Sequence, residues 1–279
     1  MRIVVITTSA EMGEHGRIAT EVKSLGWDFL LCNLNGFEYK IDRGKLVIEG
    51  FEIGGGDIVI PRGIFSSLHP ICSLISCLRK EGVRVFDNNL LIHKYSINKL
   101  SDFIKLAKWG IPLPDSYYLR SFDKYQTIAE KLGYPMIIKL TKTGKGAGIY
   151  KIDSGADLQK FILSRQDEEI EASRYLLQEF IDYKYDLRVL IVGEKIFCMR
   201  RIPGKDEFRA NFSLGGSVEL FELDKKDQEL AGKAMEAVDL QIAGVDLLIT
   251  KDNRRYILEV NHTPGMLGME EATKENITK

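Results

Sequence analysis

The chain has few of the residues that announce a metal cage or a nucleophilic triad. Its four cysteines (Cys32, Cys72, Cys77 and Cys198) form no C-x-x-C pair, and no paired histidines stand at zinc spacing. They read as free thiols, mostly in the core, of a protein in a reducing cytoplasm. The four histidines (His15, His69, His93 and His262) are scattered, so a histidine-based metal site or a Ser/His/Asp triad has few candidates. No apolar run approaches bilayer length; IVVI and VLIV are the longest in kind. The N-terminal MRIVVITT lacks a signal-peptide layout, because its short apolar run gives way at once to polar residues. There is no excess charge either. A net charge of -1 with 28% charged residues argues against a bulk nucleic-acid binder and against a polybasic membrane protein. No repeat, low-complexity tract or long linker interrupts the chain. G-x-x-x-x-G-K-[ST] and G-x-G-x-x-G are both absent, which removes a P-loop and ranks a dinucleotide oxidoreductase low.

What is present is 279 residues that are 44% hydrophobic, enough for a large core or for several lobes sharing a site. Residues 2–8 read as a buried strand, followed by a helix ending near Gly26 and strands at 29–34, 45–49 and 57–61. A helix over 69–80, a strand over 83–87 and a long helix over 92–109 follow. This alternation implies parallel α/β packing for roughly the first 90 residues. After Ile111-Pro112-Leu113-Pro114 the pattern changes. A helix near 123–132, strands at 135–142 and 149–152, a helix over 157–165 and a strand over 175–181 lead to a hairpin, 187–202, around Gly193-Glu194. A helix over 224–239 precedes a final hairpin, 244–261. The second half is therefore α+β. The expected division is 1–90, 91–180 and 181–279.

Three constellations suggest chemistry. The first is the final hairpin. Glu259 and Asn261 stand two apart on a strand and face the same way. A two-residue turn at Asp252-Asn253 pairs Asp246 with Glu259 and Gly244 with Asn261. Carboxylates opposite each other amid apolar strands repel, and burial worsens this unless a cation intervenes. Asp, Glu and Asn oxygens suit Mg²⁺, which also takes substrate phosphates. The alternative is a register shift that exposes one acid to water.

The second is Gly144-Lys145-Gly146-Ala147-Gly148, with Lys139, Lys142 and Lys151 nearby. Its glycines allow close backbone approach to an anion. It reads either as a flap over polyphosphate or as an ordinary solvated loop. The third is Asp186-x-Arg188 with Arg201, followed by Arg209 and Asn211 in a loop. A Gly193-Glu194 turn pairs 186 with 201 and 188 with 199, so Asp186, Arg188 and Arg201 share a face. They form either a surface ion pair of little energetic weight or a bidentate holder of anionic groups.

Together these segments resemble the ATP-grasp superfamily, specifically the RimK-like carboxylate–amine ligases of the glutamate-ligase type. The matching segments are INKLSDFIKLAKWGIPLP (97–114), PMIIKLTKTGKGAGIY (135–150), LLQEFI (176–181), YDLRVLIVG (185–193), EFRANFSLGG (207–216), AGVDLLI (243–249) and LEVNHTPGMLGME (258–270). DIVIPRG (57–63) fits the α/β domain that precedes the ATP-grasp lobes in that family. The resemblance implies an ATP-grasp fold, α/β and then α+β, with ATP between a central and a C-terminal lobe. It implies that Lys99 and Lys139 contact ATP phosphates, and that Gly144, Lys145, Gly146 and Gly148 close over the triphosphate. Gln178, Glu179, Phe180 and Ile181 would line the adenine slot, chiefly through backbone groups, with Asp186 near the sugar. Arg209 and Asn211 would lie at the γ-phosphate end. Asp246, Glu259 and Asn261 would hold two Mg²⁺ ions, with Mn²⁺ as an alternative. Arg188, Arg201 and Arg209 are the expected catalytic cations, and His262 has no expected catalytic role.

The implied reaction joins a carboxylate substrate to an amine, amino acid or peptide through an acylphosphate, releasing ADP and phosphate. Relatives of this kind are often dimers or tetramers, so a homodimer or homotetramer is expected; neither nucleic acid nor membrane is an expected partner. One departure stands out. Ribosomal-protein glutamate ligases carry His-Arg-Gly-Gly where this chain has Ser213-Leu214-Gly215-Gly216. A basic side chain is thus missing near the acceptor site, which argues against ribosomal-protein modification and weakens glutamate as the substrate. The rivals are an ATP-grasp kinase acting on a hydroxyl and a catalytically silent ATP-binding protein.

Overall fold

The structure is a computed structural model that describes residues 1–36, 39–42, 45–48, 53–64, 68–86, 98–142, 148–202 and 217–279. The chain divides into two compact units, Met1–Tyr95 with His262–Lys279, and Ser96–Asn261.

The first unit is α/β. Strand β1 (Arg2–Thr7), helix α1 (Gly13–Ser24) and strand β2 (Asp28–Asn33) form a crossover. Strands β3 (Tyr39–Asp42) and β4 (Lys45–Ile48) make a separate hairpin. Strand β5 (Asp57–Pro61), helix α2 (Leu68–Lys80) and the two-residue strand β6 (Arg84–Val85) complete a parallel sheet in the order β2-β1-β5-β6. β1 is central, and Ile3 to Thr7 are buried, which is why its run is continuously apolar rather than alternating. Arg2 grips Asp57 with two hydrogen bonds, 3.0 and 2.7 Å long. That contact lowers the Asp57 pKa. The strand expected over 83–87 is only Arg84–Val85, because β6 pairs with β5 at two positions.

The second unit holds two antiparallel sheets. Helix α3 (Lys99–Lys108) opens it. Strand β7 (Ser116–Tyr118), helix α4 (Tyr125–Leu132), strands β8 (Met136–Leu140) and β9 (Ile149–Ile152), helix α5 (Gly155–Asp167) and strand β10 (Tyr175–Glu179) form the first layer pair, with strand order β7-β10-β8-β9. Its core joins Ile128 and Ala129 of α4 to Met136, Ile138, Leu158, Phe161 and Tyr175. Strands β11 (Tyr183–Val192), β12 (Lys195–Ile202) and β13 (Ser217–Leu220), helix α6 (Lys225–Ala237), and strands β14 (Ile242–Thr250) and β15 (Arg255–Asn261) form the second, ordered β13-β12-β11-β14-β15. Leu187, Val189 and Ile191 point into the core beneath α6, so Asp186 and Arg188 take the opposite face. Helix α7 (Leu267–Thr273) belongs to the first unit, where Glu270 pairs with Arg17 at 3.1 Å.

The helix expected over 92–109 starts at Lys99 within the described residues. Asn98 is extended there and its side chain accepts from Ser101 N at 2.8 Å, an N-cap. Among the described residues no helix is long and apolar enough to cross a membrane.

Candidate active site

The hairpin register sets the site. β11 and β12 pair Asp186 with Arg201 and Arg188 with Met199, as the Gly193-Glu194 turn requires. β14 and β15 pair Asp246 with Glu259 and Gly244 with Asn261, the expected partners, but by another route. Next to the turn the register is offset by one, Leu247 facing Ile257 and Leu248 facing Tyr256. The turn is not the symmetric two-residue type. Asn253 takes a left-handed conformation (φ 67) and donates N–H to Thr250 O at 3.0 Å. A β-bulge between the two registers absorbs the extra residue and restores the pairing at Asp246. The same bulge lets Ile257 and Val260 both enter the core, leaving Glu259 and Asn261 partly exposed.

Asp246 is buried and bracketed by two arginines. Arg188 Nε stands 3.0 Å from Oδ1, and Arg201 Nη1 donates to Oδ2 at 3.3 Å. Arg188 also donates to Gly244 O at 3.3 Å. Arg201, itself buried, donates from Nε and Nη2 to Asp186 Oδ1 at 2.8 and 2.5 Å. Burial pushes the Asp186 carboxyl upward, opposed by the guanidinium; the two carboxylates hold Arg201 above the usual arginine value despite burial. Although Arg188 is close, Asp246 Oδ1 is buried and accepts no hydrogen bond, so a lone pair there has no aligned donor.

Two lysines reach this face. Lys99 begins α3, where the helix dipole disfavours a cation. Its backbone N–H donates to Thr141 O at 2.9 Å, and its Nζ meets Glu259 Oε1 at 2.7 Å. Lys139, on β8, is buried with its Nζ 5.3 Å from the Phe103 ring centre. Burial brings its pKa down to about 8, with Lys99 adding to the drop and Glu259 and Asp246 opposing it. Phe103 was not among the expected site residues. Its position four after Lys99 puts it on the same helix face, a signal the sequence carries.

Around 178–181 the side chains are engaged elsewhere. Gln178 donates to Ser116 Oγ at 2.8 Å, and Glu179 accepts from Asp115 N at 2.8 Å. Lys151 Nζ lies 5.5 Å from the Phe180 ring, and Ile181 is buried. A cleft of about 370 Å³ is lined by Glu179, Phe180, Ile181 and Asp182 on one side and by Thr250 and Tyr256 among others on the opposite side. A larger recess of about 440 Å³, bounded by Arg120, Phe122 and Gln166 among others, includes none of the expected site residues. Gly148 anchors the end of the glycine-rich segment: it has φ +69 and accepts from Leu140 N at 2.8 Å. Gly144, Lys145, Gly146, Arg209 and Asn211 lie outside the described residues.

The oxygen donors fit a hard divalent cation. Asp246 and Glu259 are opposed in register, Asn261 follows two residues after Glu259, and Asp246 Oδ1 has a buried lone pair. Among the described residues no group of three or more His, Cys, Asp or Glu side chains is arranged to cage a metal alone. Two carboxylates and a carboxamide leave coordination positions for phosphate oxygens and water, as nucleotide-bound Mg²⁺ requires.

Comparison with known proteins gives the family. A probable alpha-L-glutamate ligase of Legionella pneumophila (strain Corby) is 29% identical over 99% of this chain and 92% of its own length. The fold is similar to that of the ATP-grasp ligase PsnB, solved with a phosphomimetic variant of its minimal precursor, Mg and ADP (TM-score 0.75, 17% identity, 99% of this chain and 94% of that one). It is also similar to the macrocyclase MdnC from Microcystis aeruginosa MRC, bound with precursor peptide MdnA (TM-score 0.68, 14% identity, 98% and 95%). The RimK-like ATP-grasp domain model matches residues 96–279, and the chain belongs to that family.

Proposed function

We propose that the chain joins a carboxylate to an amine by way of an acylphosphate, with two Mg²⁺ ions held by Asp246, Glu259 and Asn261. Membership of the family, together with relatives named as ligases, makes it an ATP-grasp ligase that forms amide bonds at the expense of ATP. The observation carrying the finer reading is the in-register pair Asp246–Glu259, set beside Lys99 and the buried Lys139. Mn²⁺ would suit the same oxygens. When bound, the metal neutralises phosphate charge and polarises the γ-phosphoryl group.

The chain's own residues then have distinct tasks. Lys139 and Lys99 bind the polyphosphate, Gly148 and the glycine-rich segment containing Gly144, Lys145 and Gly146 cover it, and Gln178 to Ile181 offer backbone groups to the base. Asp186 stands near the sugar. A substrate carboxylate oxygen bonds to the γ-phosphorus while the bond to the bridging oxygen breaks, and ADP leaves. The amine nitrogen then bonds to the acyl carbon, phosphate departs with the C–O bonding electrons, and the amine loses a proton. Arg188, Arg201 and Arg209, with Asn211, supply positive charge and donors where the anion develops. Positioning dominates such chemistry, and no protein nucleophile is required.

The amine is an amino acid or peptide, and the acceptor is a small molecule, peptide or protein tail. The Legionella relative's name puts glutamate among the amines to test, and MdnC's precursor puts peptides among the acceptors. Ser213-Leu214 in place of His-Arg argues for an acceptor other than a ribosomal protein. A homodimer or homotetramer, the division into lobes at 90 and 180, and the absence of a nucleic-acid partner belong to this proposal, as does a cytoplasmic setting. Cys32 and Cys198 are free and buried, and burial pushes both thiols up to about 12, which keeps them protonated and unreactive. The test is an ADP-release screen of carboxylates against amines with Mg²⁺, with hydroxylamine as a trap. ADP with hydroxamate is expected; AMP, or no hydroxamate from any acid that is turned over, would sink the acylphosphate route.

A further inference from the structure

Each carboxylate assigned to the metal site already touches a cation of the chain itself. Glu259 Oε1 lies 2.7 Å from Lys99 Nζ, and Asp246 contacts Arg188 at 3.0 Å and Arg201 at 3.3 Å. Lys139 lies beside the same carboxylates, and Arg201 bridges Asp186 and Asp246. A divalent ion arriving alone enters a surround whose acids are already neutralised. A triphosphate arriving first reverses the sign.

Lys99 is the member best placed to exchange. Arg201 and Lys99 are both buried, but Arg201 is held twice by Asp186, whereas Lys99 meets, through a single ammonium, a Glu259 side chain that is about a third exposed (32%). Lys99 also occupies the first turn of α3, against the helix dipole, which makes transfer of its ammonium to a stronger anion less costly. A polyphosphate offers that ammonium more negative charge and more acceptor oxygens than one carboxylate does.

We infer that Lys99 is the resident counter-ion of Glu259 in the nucleotide-free protein. The nucleotide's phosphates draw Lys99 away from Glu259, and only then is Glu259 available to a divalent cation. Metal loading is therefore conditional on nucleotide, through one side chain that serves both. This rests on the nucleotide and metal reading above.

The test is Mn²⁺ binding to the full chain, followed by the electron paramagnetic resonance signal of free Mn²⁺, with and without ADP; a protein-free ADP control accounts for the chelate. A unit charge within about 4–6 Å changes a carboxylate's proton affinity about 10- to 1000-fold, and a divalent cation is at least as sensitive. Without ADP, Lys99→Met is expected to bind Mn²⁺ at least about tenfold more tightly than wild type. Lys99→Arg keeps the charge and is expected to stay as weak as wild type. Saturating ADP is expected to tighten wild-type binding by a similar factor. Should Lys99→Met fail to melt cooperatively, Lys99→Gln is the replacement, with the same expectation. Equal Mn²⁺ affinity for nucleotide-free wild type and the neutral variant overturns the exchange alone. Mn²⁺ that stays unbound to the protein even with ADP overturns both the exchange and the metal assignment.

Discussion

Raising the pH from 7 to 9 removes the proton from Lys139, and nucleotide affinity is expected to fall with it. The Lys139 ammonium is buried beside Lys99, and its pKa is lowered to about 8. The charged form prevails below that value and the neutral form above it, so affinity falls as pH rises. If only the charged form grips phosphate, the apparent Kd scales as one plus the ratio of neutral to charged lysine. That factor goes from about 1.1 at pH 7 to about 11 at pH 9, a tenfold weakening. A lysine at its ordinary value would change Kd by only a few per cent over the same interval. Calorimetric titration with ADP at fixed free Mg²⁺ reads this directly. Lys139→Arg keeps a charge that does not titrate in this range and should flatten the profile. A flat wild-type profile, or a tenfold fall that persists in Lys139→Arg, would refute the reasoning.

Other perturbations follow from the same contacts. Glu259→Ala should lower ADP release at least about 100-fold while the circular dichroism melt stays close to wild type; wild-type turnover would remove the metal assignment. Arg201→Met leaves Asp186 buried without its partner and should cost about 3–5 kcal/mol in a urea titration; an unchanged midpoint would mean the pair carries no structural weight. Gly148→Ala places a Cβ 2.5 Å from Leu140 Cδ1 at a φ of +69. It should cost about 1–3 kcal/mol and weaken nucleotide binding, both of which a ligand-dependent thermal melt would register.

Much of the architecture was legible because it is written in local periodicity. Alternating strands and helices identified the parallel sheet of the first unit, and Gly193-Glu194 set the β11–β12 register without error. The β14–β15 hairpin is more instructive. The symmetric turn predicted the pairing of Asp246 with Glu259, and that pairing is present. It arises because a longer turn and a bulge cancel, the bulge being set by the packing of Ile257 and Val260 into one core. Such packing is tertiary and leaves no mark in a turn dipeptide. The Lys99–Glu259 contact spans 160 positions and joins a helix to a strand, so no local pattern encodes it. The partners of Gln178 and Glu179 were hidden for the same reason: Ser116 and Asp115 reach them only through strand pairing.

The central claim is that a substrate carboxylate oxygen attacks the γ-phosphorus of ATP. It is tested most directly with a carboxylic acid identified by the ADP-release screen, labelled with ¹⁸O in both carboxyl oxygens. Mass spectrometry of the released inorganic phosphate should find one ¹⁸O per phosphate, accompanied by unlabelled ADP. Unlabelled phosphate, or label carried in AMP, would contradict the account.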